Sequence, residues 1–138
     1  MSRHEKGMLK ERIEIIEESY EFMLAFAAQG LSGDEEGDSG AQIRDSLERC
    51  NASLEGLPDL LLALVDAEKL EPPEPYRAFI KVLERDDHKA QTAIQLVLAQ
   101  SSISSQLVDN LNAWIHLRAL LTGLFVIDEI FKDKELQR

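Results

Sequence analysis

The sequence is poor in cysteine and in long uncharged apolar runs, and each deficit narrows the classes of protein to which it can belong. Cys50 is the single cysteine among 138 residues and cannot form an internal disulfide, so we expect a reducing, cytoplasmic location. The uncharged run from Ala119 to Ile127 is far shorter than the roughly 20 residues that a transmembrane helix needs. The polar segment after Met1 lacks the apolar core of an export signal, so we expect neither export nor a membrane span.

Basic residues are also scarce relative to acidic ones. The chain has 15 lysine and arginine residues against 26 aspartate and glutamate residues, which gives a net charge of −11. Such a charge repels phosphate backbones and anionic lipid headgroups, so nucleic acid and membrane surfaces are not expected partners. The hydrophobic fraction of 44% is nevertheless typical of globular proteins, and the length fits a single domain over residues 1–138.

The apolar residues recur at helical spacing in four segments, at about residues 5–29, 41–70, 76–100 and 105–132. We find no alternating strand pattern. The second segment contains a seven-residue apolar repeat, formed by Ile43, Leu47, Cys50, Leu54, Leu57, Leu61 and Leu64. Helices of this length with short connectors pack most economically as neighbours, so the sequence predicts an all-α, antiparallel, up-down-up-down four-helix bundle.

Three segments are expected to interrupt the helices. Gly56 and Pro58 predict a kink or break of the second helix at residues 56–58. The prolines within residues 71–75 predict a stiff extended connector. The acidic, glycine-rich stretch at residues 30–40 lacks the ligand order of a calcium-binding loop and predicts a mobile, solvated loop.

The motifs of the commonest enzymes and metal proteins are missing. Carboxylate-bridged di-metal bundles place an acid three residues before a histidine, but Arg85 precedes His88 and Ala113 precedes His116 at that distance. The sequence also has no glycine-rich phosphate loop, no nucleophile elbow and no haem-attachment motif. We therefore predict no catalytic residue, no metal and no cofactor.

Two charges interrupt the apolar seams near the middle of the third and fourth helices. Asp87 and Arg118 could meet across a helix pair and hold it in register. Each side chain would then provide the opposite charge and the hydrogen-bond partner that the other needs when it is buried. The alternative is that they line a polar ligand pocket together with His88 and His116. We favour the structural pair, and we expect structural roles for both histidines, with His116 at the edge of the bundle.

The last segment has more apolar residues than one surface helix needs. Its two apolar seams include Trp114, Leu121, Phe125 and Phe131, which are the candidate interface residues. The sequence therefore favours a non-catalytic interaction or assembly protein, acting as a homodimer or as an accessory subunit of a larger cytoplasmic complex. The alternatives are a bundle that binds a small molecule, metal or cofactor between its helices, with or without turnover, and an acidic mimic of nucleic acid.

Overall fold

The computed structural model describes residues 2–33 and 37–136, and within these ranges every regular element is a helix. The elements are α1 (Ser2–Ala28), α2 (Asp38–Leu54), α3 (Leu57–Ala67), α4 (Pro73–Leu98), α5 (Ser105–Ala113) and α6 (Ile115–Leu136). The predicted all-α class is confirmed. A four-helix bundle is not confirmed, because the second and fourth predicted helices are each divided in two.

The predicted break of the second helix lies where Gly56 and Pro58 indicated it. α2 ends at Leu54 and α3 begins at Leu57, with Gly56 between them in the left-handed region at φ 71°. Pro58 lies in the first turn of α3. Backbone N–H groups in the first turn have no intrahelical acceptor, so a proline there removes no helical hydrogen bond. The guanidinium of Arg12 donates to the main-chain carbonyls of Ser53 and Glu55 and so caps the end of α2.

The break between α5 and α6 was not predicted. Trp114 adopts an extended conformation at φ −67° and ψ 126°, α5 ends at Ala113, and α6 begins at Ile115. Neither proline nor glycine lies at this junction. The periodicity of the apolar residues continues across it, which is why the sequence predicted one helix over residues 105–132.

The proline-rich connector is shorter than predicted. The expectation of an extended segment over residues 71–75 was wrong in its second half, because α4 begins at Pro73. Pro73 and Pro75 both lie in the first turn of this helix, where N–H groups have no intrahelical partners and proline is tolerated. Pro72, at the N-cap, has the predicted extended conformation.

Two pairs of consecutive helices, α2 with α3 and α5 with α6, connect the long helices α1 and α4. α2 and α3 contact both α1 and α4, whereas α5 lies mainly against α1 and α6 mainly against α4. The predicted seven-residue repeat supplies the centre of the core, since all of its members are buried. These are Ile43, Leu47, Cys50, Leu54, Leu57, Leu61 and Leu64. None of the helices in the described ranges has the length and apolar character of a membrane span.

The segment predicted to be a mobile loop is anchored at its start. The main chain of Leu31 exchanges hydrogen bonds with Ser105, at 2.8 Å to the serine N–H and 2.9 Å to its hydroxyl oxygen. The same hydroxyl donates to the carbonyl of Phe26 at 2.6 Å. Leu31 is therefore held against the first residue of α5, residues 34–36 lie outside the described ranges, and the mobility of the segment stays a prediction.

Candidate functional site

Asp87 lies on the inward face of α4 and is a buried carboxyl, with 3% of its surface exposed. The side-chain amide of Gln91, one turn later, donates to Asp87 Oδ1 at 3.1 Å. Burial raises the pKa of Asp87 to about 6, and the Gln91 hydrogen bond and the charges of His88 and Arg12 only partly oppose this shift. The carboxyl therefore accepts its hydrogen bond from its own helix.

Arg118 lies on the outer face of α6 and is exposed. The structure does not bring it to Asp87, although α4 and α6 are neighbours, as the predicted pairing required. The sequence identified Asp87 as an interior residue correctly. It placed Arg118 on the wrong face, because the apolar seam that Arg118 interrupts turns partly toward solvent. The predicted register-setting pair is thus replaced by two separate residues.

A polar contact between α4 and α6 is made not by Asp87 and Arg118 but by residues close to them in the sequence. His116 Nδ1 lies 3.1 Å from Asp86 Oδ1, and both side chains are largely covered. The indole of Trp114 packs edge-on against the His116 ring, with the ring centroids 5.0 Å apart. This contact fixes the beginning of α6 on α4. No signal in the sequence singled out Asp86, because adjacent aspartates look alike until the helix is docked.

The four candidate pocket residues do not converge on one site. Asp87 faces the core, His116 binds Asp86, and Arg118 and His88 are exposed on different helices. Among the described residues there is no group of three histidine, cysteine or acidic side chains with metal-binding geometry. The polar-pocket alternative therefore has no arrangement of side chains to support it in this part of the chain.

The predicted interface residues divide between core and surface. Leu121 and Phe131 are buried in the core, Trp114 is half-buried, and Phe125 is 47% exposed. Two of the four predicted interface residues therefore serve the molecule's own interior. The exposed apolar side chains of α6 are Ile115, Phe125, Val126 and Ile130, and of these the sequence identified Phe125 as an interface residue.

A groove of about 660 Å³ runs between α4 and α6 beside this face. Its walls are largely apolar, and they include Phe79 and Val82 on α4 and Ile115, Ala119 and Val126 on α6. The groove is open to solvent.

Gly123 sets the separation of the two helices that form the groove. A Cβ atom at this position would overlap the side chain of Leu83, so α4 and α6 approach each other more closely here than a larger residue would allow. Ala119, one turn earlier on α6, also leaves the groove wide. Small residues on α6 thus shape an apolar concavity next to an exposed apolar ridge.

A second, smaller groove lies on the other side of the same ridge. It measures about 230 Å³ and is lined by Tyr20 and two glutamates of α1 and by Arg118 and Phe125 of α6. The outer face of α6 is therefore a ridge with a groove on each side, and it is the surface on which the functional interpretation depends. Comparison with protein-family models, curated proteins and solved structures found no match to this chain.

Proposed function

We propose that this protein is a non-catalytic, cytoplasmic interaction protein that assembles as a homodimer through the outer face of α6. The observation that carries the proposal is the set of four exposed apolar side chains on α6, Ile115, Phe125, Val126 and Ile130, of which Ile115 and Val126 line the α4–α6 groove. Single exposed apolar residues are common in monomers, whereas a contiguous patch with polar residues around it is typical of protein-binding surfaces.

The packing of the helices also supports a finer description of the fold. If α2 with α3 and α5 with α6 are each regarded as one broken helix, the molecule has four packed positions. We propose that the chain is a four-helix bundle with two broken members. The break at Trp114 then allows α5 to cover α1 while α6 covers α4 and turns its outer face to solvent.

The assembly proposal is tested by sedimentation velocity of the purified chain from micromolar to millimolar concentration. We expect a monomer–dimer equilibrium. Ile115 is 69% exposed on the proposed surface, and Leu96 is 66% exposed on α4 outside the groove, which makes them a matched pair. Ile115→Glu should weaken the dimer by about tenfold or more, because it buries a charge in the interface, whereas Leu96→Glu should leave it unchanged.

Two outcomes would contradict the proposal. One is a chain that sediments as a monomer at every concentration, which would leave a larger partner or a ligand as the function of this surface. The other is an equal loss of dimer in both variants, which would indicate a general effect of added negative charge. A glutamate at the start of α6 favours the helix dipole, so we do not expect Ile115→Glu to unfold the monomer, and circular dichroism checks this directly.

A further inference from the structure

The outer face of α6 has a charge order that specifies how two copies would meet. Arg118, Thr122, Phe125 and Glu129 follow each other at spacings of four, three and four residues, and all four are exposed. They form a single stripe along the helix, with a positive charge near one end and a negative charge near the other. Lys132, the cation on α6 nearest to Glu129, forms its ion pair with Asp128 at 3.2 Å and interacts with Glu129 only through the weaker long-range attraction of their charges.

We propose that two copies pair through this stripe with their α6 helices antiparallel, about a twofold axis that passes between Thr122 and Phe125. This inference rests on the proposed homodimer and specifies its geometry. In this register Arg118 meets the partner subunit's Glu129, and Thr122 meets the partner subunit's Phe125. Each contact occurs twice, as an isologous interface requires.

The flank of the stripe that borders the groove agrees with the same register. Ile115 falls within about 3 Å, measured along the helix axis, of the partner subunit's Ile130, and Ala119 falls equally close to the partner subunit's Val126. The first pair joins two exposed isoleucines. The second places a bulky side chain against a small one at the edge of the α4–α6 groove, which both residues line. Both the charged and the apolar residues therefore favour one arrangement.

The parallel arrangement is disfavoured by the same residues. It would place Arg118 beside its own copy and Glu129 beside its own copy, so like charges would face each other at both ends. The antiparallel arrangement replaces these two repulsions with two ion pairs. Charge order on α6 thus determines the orientation, while the apolar side chains supply most of the affinity.

The length of the stripe sets the expected strength of the dimer. Ile115 and Ile130 are about 22 Å apart along α6, so a contact between two such helices is at the small end of specific interfaces. We therefore expect a dissociation constant in the micromolar range. Each copy carries a net charge of −11, so measurements need roughly 0.15 M salt to screen the general repulsion between copies.

A charge-reversal cycle tests the register. Arg118→Glu and Glu129→Arg should each weaken the dimer about fivefold to tenfold, and the double variant should restore the dissociation constant to within about twofold of the original chain. Glu48→Arg, at an exposed position on α2, controls for the change in net charge made by Glu129→Arg, and Arg49→Glu, also exposed on α2, controls for the opposite change made by Arg118→Glu. Glu17 and Glu21 of α1 lie near Arg118 in the smaller groove, so unfolding of each variant is measured in parallel.

A distance measurement tests the orientation without relying on affinity. A spin label on cysteine substituted at Asp133, an exposed position near the end of α6, should lie about 25–30 Å from its copy along the axis in the antiparallel dimer. A label at Thr122, beside the proposed axis, should lie much closer to its copy. Cys50 is buried in the core, so the label should react selectively with the new cysteine.

The outcomes separate this inference from the proposed function. A chain that never dimerises refutes the homodimer and the register together. A dimer that is insensitive to charge reversal, that shows additive losses in the double variant, or that brings the two Asp133 labels close together keeps the homodimer and refutes the antiparallel pairing. Rescue in the double variant together with a long distance at residue 133 supports the pairing.

Discussion

Replacing Asp87 with asparagine should stabilise the protein, and the gain should depend on pH. The pKa of Asp87 is raised from 3.8 to about 6 in the folded chain, chiefly by burial. A group whose pKa is raised on folding keeps its proton in the folded state over a pH range in which the unfolded chain has released it. The stability of the original chain therefore falls as the pH rises between about 4 and about 6, and the whole deficit is present above that range.

The size of the effect follows from the shift. One pKa unit corresponds to about 1.4 kcal/mol, so a shift of roughly two units corresponds to a deficit of up to about 3 kcal/mol at neutral pH. The asparagine side chain would resemble the protonated acid in shape, and its amide oxygen could still accept the hydrogen bond from Gln91. We therefore expect Asp87→Asn to raise the free energy of unfolding by about 2–3 kcal/mol at about pH 8 and by little at about pH 4.

The assay is urea denaturation of both chains across this pH range, followed by circular dichroism. The difference between the two chains removes the titration of the remaining groups from the result. Asp45→Asn, at an exposed position on α2, is the matched control and should change the free energy of unfolding by less than about 0.5 kcal/mol at any pH. A gain that is the same at both ends of the range would show that folding does not raise the pKa of Asp87, and a loss at about pH 8 would show that the carboxylate makes a stabilising contact in the core.

Two further predictions concern the packing of the core. Gly123→Ala should lower the free energy of unfolding by about 1–3 kcal/mol in urea titrations, because the new methyl group overlaps the buried Leu83 side chain. Gly40→Ala, at an open position on α2, should not lower it. Equal effects of the two substitutions would show that helix propensity, and not the contact with Leu83, determines the change in stability. Cys50 should react slowly with a disulfide reagent in the native chain and rapidly in urea, because burial, with a contribution from the charge of Asp87, raises its pKa to about 12. Rapid modification of the native chain would show that the core opens around this cysteine.

The sequence alone was sufficient for the helical class and for the positions that form the core. The seven-residue repeat from Ile43 to Leu64 is buried throughout, because the period of apolar residues directly reflects which side of a helix avoids water. Gly56 and Pro58 likewise predicted the α2–α3 break, since each acts on the backbone at its own position. These are local properties, and they do not depend on which helix becomes the neighbour.

Tertiary structure decided the features on which the candidate site depends. The break at Trp114 has no local signal, and it lies at the junction of one helix packed against α1 and another packed against α4. Asp86, and not Asp87, faces His116, because the orientation of each helix about its axis is set by the packing of the whole apolar face. Arg118 lies toward solvent for the same reason. A periodic pattern shows which residues share a face, but only the packed helices determine whether a second face is covered by the chain itself or remains exposed.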